Sequence, residues 1–119
     1  MAATTAAELL ERMVQGVFNE PDAQRRAAVI AEVFAEDAVF VDGERTSNGR
    51  DELAATVTEL LAQGPGLVFS PAGEFRGVGD LGMRSWRLGP PGGETVLGGL
   101  DVVQVVDGRI ARLWTMLDG

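Results

Sequence analysis

The stretch ETVLGGLDVVQVVDGRIARLWTML, residues 94–117, reads as two strands, Glu94 to Val106 and Arg109 to Leu117, joined by Asp107-Gly108. An Asp-Gly pair tolerates the positive φ angles that a two-residue hairpin demands, so the two strands are antiparallel neighbours. Working backward, Gly89-Pro90-Pro91-Gly92-Gly93 is the preceding turn, and two further period-two segments, Val78 to Leu88 and Leu67 to Phe75, come before it. Gly77-Val78-Gly79 and Gly98-Gly99 mark places where a sheet bulges or coils, as expected of one that curls around a cavity.

Upstream of Gly64-Pro65-Gly66 the period changes. Thr5-Ala6-Ala7-Glu8 has capping-box spacing, and Leu9, Leu10, Met13, Val14, Val17 and Phe18 recur at three- and four-residue intervals as one helical stripe. Asn19-Glu20-Pro21-Asp22 breaks the stripe before a second helix, from about Ala23 to Phe34. A short strand, Ala38 to Asp42, and a polar loop, Gly43 to Gly49, precede a third helix over Arg50 to Gln63. The order helix, helix, strand, helix, then four strands predicts an α+β domain spanning residues 1–119, with helices on one side of a mainly antiparallel sheet.

Composition narrows the chemistry. The 119 residues contain no His, Cys or Tyr, which excludes disulfides, Cys-based zinc sites and the commonest general base. A net charge of −8 argues against nucleic acid and anionic membranes as partners. Met1-Ala2-Ala3-Thr4-Thr5 lacks the features of a signal peptide, and no stretch approaches the roughly 18 apolar residues of a membrane span. The expectation is a soluble, cytoplasmic protein.

Two aspartates sit in or beside strands that read as buried. Asp101 shares a strand face with Leu97, Gly99, Val103 and Val105, and Asp42 closes Ala38-Val39-Phe40-Val41. A desolvated carboxyl is costly unless it is paired, protonated or used. Asp101 has a plainer reading as a wet carboxylate or a partner of Arg84, and Asp42 a plainer one as a turn residue before Gly43. Arg84 and Trp86 share a face of their strand and could together stack on a planar ligand or clamp an anion. The final strand is apolar on both faces, so one face can meet the helices and the other a second copy of the chain. Gly77-Val78-Gly79-Asp80-Leu81-Gly82 matches G-x-G-x-x-G in letters alone, because Met83 to Leu88 reads as strand and no helix opens there.

The helix pair, residues 34–43 (FAEDAVFVDG), residues 49–53 (GRDEL) and residues 99–114 (GLDVVQVVDGRIARLW) together resemble the nuclear transport factor two-like superfamily, and within it the SnoaL-like polyketide cyclase group. The resemblance implies a cone-shaped, strongly curved sheet wrapped over three helices, a cystatin-like α+β barrel with a pocket at its wide end and frequent homodimerisation through the sheet. Its members include ketosteroid isomerases, polyketide cyclases, limonene epoxide hydrolases and proteins that only bind ligands or partners. Asp42 falls where the isomerases carry the catalytic base, and Asp101 where they carry a protonated oxyanion-hole aspartic acid. Phe18 stands near the position of their oxyanion-hole tyrosine. The epoxide hydrolase pattern would need an Asp where Trp86 follows Arg84-Ser85. The expected activity is proton transfer on an apolar carbonyl compound by Asp42 and Asp101, in a pocket shaped by Phe18, Arg84, Trp86, Leu113, Thr115 and Leu117, with no cofactor required. The alternative is a ligand-binding or dimerisation module without catalysis.

Overall fold

The computed structural model describes residues 5–118. Met1 to Thr4, read above for targeting signals, lie outside the described residues. Thr5 caps α1 (Ala6–Met13): its hydroxyl accepts from the Glu8 amide at 3.1 Å, and the Glu8 carboxylate accepts from the Thr5 amide at 3.3 Å. Two donors that a helix start leaves without intrahelical partners are thereby satisfied.

The apolar stripe does not continue to Phe18 as regular α-helix. Val14–Phe18 widens into a π turn, closed by the Asn19 amide donating to the Val14 carbonyl at 2.9 Å. A π turn takes up more residues per turn than an α-helix, so Val14 and Phe18 come to the same side, and both are buried. The Asp22 carboxylate caps α2 (Ala23–Val33) by accepting from the Arg25 amide at 2.9 Å. β1 (Phe34–Val41) follows at once, four residues earlier than the sequence predicts, because the exposed Glu36 and Asp37 hide its first half from a period-two reading. Part of the predicted polar loop forms β2 (Thr46–Asn48), which leads directly into α3 (Gly49–Gln63).

The remaining strands are β3 (Val68–Pro71), β4 (Arg76–Val78), β5 (Leu81–Gly89), β6 (Leu97–Val106) and β7 (Arg109–Leu117). The strand predicted over Leu67 to Phe75 is thus shorter, and the glycine-rich segment 77–82 is the β4–β5 hairpin, with Gly79 at a φ of 59°. Asp107 and Gly108, at φ of 52° and 78°, make the predicted β6–β7 turn.

The sheet runs β2-β1-β7-β6-β5-β3, with β4 also on β5. Among the described residues only β1 and β7 pair in parallel. α1 packs against β5, β6 and β7, α2 against β1 and β7, and α3 against β1 and β2, so the sheet curls over all three helices. It does not close into a barrel, since β2 and β3 remain as edges. Leu10, Met13, Ile30, Phe34, Leu53 and Leu113 are among the fully buried side chains between the layers. No helix among the described residues is long and apolar enough to cross a membrane.

Candidate functional site

At one end of the layer between helices and sheet lies a cavity of about 240 Å³. Its walls are apolar: Phe18 from the π turn, Phe40 from β1, Phe69 from β3, Trp86 and Leu88 from β5. The rings touch edge to face in a continuous series, with centroids 6.0 Å apart for Phe40 and Phe18, 5.7 Å for Phe18 and Phe69, and 5.2 Å for Phe69 and Trp86. Such pairs add about 0.5–1.5 kcal/mol each beyond burial, so the wall is held by its own packing. Asn19 pins it further, its side-chain amide donating to the Phe69 carbonyl and accepting from the Phe69 amide, both at 2.8 Å. That exchange satisfies the free edge of β3 where no strand covers it.

Asp101 forms the polar floor. It lies on β6 opposite Arg84 of β5 and Thr115 of β7, and is only 7 % exposed. The Trp86 indole Nε1 donates to its Oδ1 at 3.1 Å and the Thr115 hydroxyl donates to the same oxygen at 2.6 Å. Gly99, opposite Trp86, makes this possible, because a Cβ there would overlap the indole ring and crowd the Met116 carbonyl. Among the described residues Oδ2 accepts no hydrogen bond, and no buried side-chain oxygen is sealed off without a partner, so Oδ2 opens on the cavity. Burial pushes the carboxyl up to about 6, against the lowering effect of the Thr115 and Trp86 hydrogen bonds and the charge of Arg84.

Arg84 does not pair with Asp101. Its guanidinium turns to Glu11 of α1, at 3.1 Å, and it is not among the residues lining the cavity. Leu113 is likewise absent from the lining, being fully buried in the core beneath the floor. Phe18, Trp86, Thr115 and Leu117 do line it.

Asp42 stands at the mouth, just after β1. Its Oδ1 accepts from the Glu44 amide at 2.7 Å and from the Arg45 amide at 2.9 Å, which is turn chemistry. It also lines the cavity, so the turn and site readings describe the same side chain: one oxygen fixes the loop and the other stays unengaged among the described residues. Among the described residues no group of three carboxylates is close enough together to hold a metal ion.

The family model for the SnoaL-like domain matches residues 10–113. The chain belongs to the SnoaL-like family. A SnoaL-like family protein of Agrobacterium tumefaciens C58, proposed to be an isomerase, is 32 % identical and superimposes with a TM-score of 0.88 over 95 % of this chain and 97 % of that one. A proposed SnoaL-like polyketide cyclase of Jannaschia sp. CCS1 (17 % identity, TM-score 0.78, 94 % and 84 % covered) shares the fold. So does a proposed ketosteroid isomerase of Kribbella flavida (20 % identity, TM-score 0.69, 93 % and 76 % covered). No curated protein matches the sequence.

Several residues of this SnoaL-like cavity carry no signal in the sequence. Phe40 and Phe69 read as ordinary strand residues, and Glu44 and Gln63 as loop and helix-end polar groups, yet all four line the cavity. Only the closure of α3 and β3 over the same space brings them together.

Proposed function

We propose that this SnoaL-like protein acts on an apolar carbonyl compound by proton transfer, as an isomerase or cyclase. The observation that carries the reading is the Asp101 carboxyl, buried on the floor of an aromatic cavity with Oδ1 occupied by two donors and Oδ2 open to the space. The unengaged oxygen of Asp42 takes a proton from the carbon next to the carbonyl, and the electron pair moves onto the carbonyl oxygen. Asp101, protonated at Oδ2, donates a hydrogen bond to that enolate oxygen. Asp42 then returns the proton at another carbon, or the enolate carbon attacks a second carbonyl of the substrate, whose π electrons move onto its oxygen and take the proton from Asp42. An apolar ligand expels water and favours the neutral form of Asp101, so binding itself supplies the donor. No cofactor enters this scheme.

The test is deuterium wash-in from D2O at the α carbon of a panel of apolar ketones and enones, followed by NMR. Wild type exchanges at least one of them, and Asp42→Asn and Asp101→Asn each lower the rate by about a hundredfold or more while both variants stay folded. Exchange that survives in Asp42→Asn overturns the assignment.

A second reading is a ligand-binding module without catalysis, favoured by Phe18, which supplies a ring but no hydroxyl to the cavity. It leaves saturable binding of apolar ligands with no wash-in. Under either reading the protein works as a homodimer paired through the outer face of the sheet, where Met83 and Met116 are exposed. Met116→Glu then gives monomers by sedimentation, and a wild type that is already monomeric removes the dimer.

A further inference from the structure

The charged residues lining the cavity are all acids. Asp101 is on the floor, Asp42 and Glu44 are at the mouth, and among the described residues no basic side chain lines the space. All ten basic residues of the chain are arginines, and those nearest are committed elsewhere: Arg45 to Glu59 and Arg84 to Glu11. The Glu44 carboxylate makes no hydrogen bond or ion pair among the described residues, although its backbone is fixed by the Asp42 turn. Between mouth and floor run the faces and edges of Phe18, Phe40, Phe69 and Trp86.

Acidic groups alone would not specify a ligand. Here they flank a concave, ring-walled space whose floor carries a nine-tenths-buried carboxyl with one oxygen aimed inward. Aromatic faces attract cations, and the carboxylates of Asp42 and Glu44 at the mouth repel anions. The carboxylates do not converge as metal ligands do, so the cation that fits is a diffuse organic one. At about 240 Å³ the space exceeds the roughly 150 Å³ of an apolar cavity that holds benzene, enough for a ring and a short substituent.

We propose that the substrate of this cavity bears a protonated amine, received by Glu44 at the mouth, while its carbonyl lies toward Asp101. The inference rests on the proton-transfer reading for the position of the carbonyl, and on the lining for the amine. An ammonium at the mouth also offsets the negative charge that moves onto the enolate oxygen. A carboxylate-bearing analogue meets like charge at the mouth, from Asp42 and Glu44.

The probes are benzylamine, benzyl alcohol and benzoate, which share one ring and differ in charge, titrated by NMR at neutral pH in low salt. Benzylamine binds about fivefold or more tightly than benzyl alcohol, benzoate binds weakest, and added salt narrows the gap. Glu44→Gln removes most of the benzylamine preference and leaves benzyl alcohol unchanged. Equal binding of the amine and the alcohol to wild type overturns the proposal, and does so without touching the wash-in result on which the proton-transfer reading stands. A preference that survives Glu44→Gln but disappears in Asp101→Asn also overturns it, because the ammonium then sits on the floor, where the carbonyl was placed.

Discussion

Asp101 and Asp42 are the same residue type lining the same cavity, and the structure treats them in opposite ways. Asp101 lies in the middle of a ten-residue strand with paired strands on both sides, so its carboxyl is dry and its partners are side chains fixed by the sheet register. Asp42 lies one residue past the end of β1, where the chain turns, and its partners are backbone amides of its own loop. The floor stores a desolvation cost that favours a proton, whereas at the mouth the backbone amides of the loop hold the carboxylate. Position along the strand, rather than residue identity, separates the buried carboxyl from the turn carboxyl.

The largest test of this contrast is the pH dependence of stability. Asp101 rises from 3.8 when unfolded to about 6 when folded, so between those values the native state holds the extra proton and stability falls as pH rises. The stabilisation from the protonated floor is fully present below about pH 4 and lost above about pH 6, a change of about 3 kcal/mol. Urea unfolding from pH 4 to pH 8 therefore shows a smaller decline with pH, or a steeper gain, in Asp101→Asn than in wild type. Parallel curves for wild type and Asp101→Asn would mean that the floor is wet.

A smaller effect is expected at Gly99, whose missing side chain lets the Trp86 ring lie across β6. Gly99→Ala forces the indole aside and costs roughly 1–3 kcal/mol, typical of overpacking. With Trp86 displaced, Asp101 loses a donor to its ionised form and its titration midpoint moves above 6. A midpoint that stays put would show that the indole bond does nothing for the floor. The smallest change is at the mouth: Asp42→Ala removes two hydrogen bonds from an exposed loop and lowers stability by about 1 kcal/mol or less, read from the same urea curves. A loss as large as that of Gly99→Ala would make Asp42 a structural residue first.

The sequence made the two aspartates visible for different reasons. Asp101 interrupts an alternating apolar strand, a conflict between burial and charge that stands out without coordinates. Asp42 closes an apolar run, but Asp-Gly at a strand end is also ordinary turn chemistry, and the family resemblance is what weighted it toward the site. Arg84 and Leu113 share the sheet face of Trp86 and Thr115 and still miss the cavity. Glu11 draws Arg84 toward α1, and Leu113 lies deeper in the packed layer. The π turn at Val14–Phe18 was not legible, because its apolar residues also satisfy the spacing of an α-helix.

Period, punctuation and the Asp-Gly turn determined the order of helices and strands and the β6–β7 hairpin, because those preferences act over a few neighbouring residues. The fold class followed from that order. Tertiary structure alone decided which side chains share the cavity: Phe40 and Glu44, from β1 and the turn after it, meet Gln63 of α3 and Phe69 of β3 only because α3 and β3 pack over one space. It also decided that Arg84 pairs with Glu11 rather than Asp101, since both partners were within its reach and the choice depended on where α1 settled against β5.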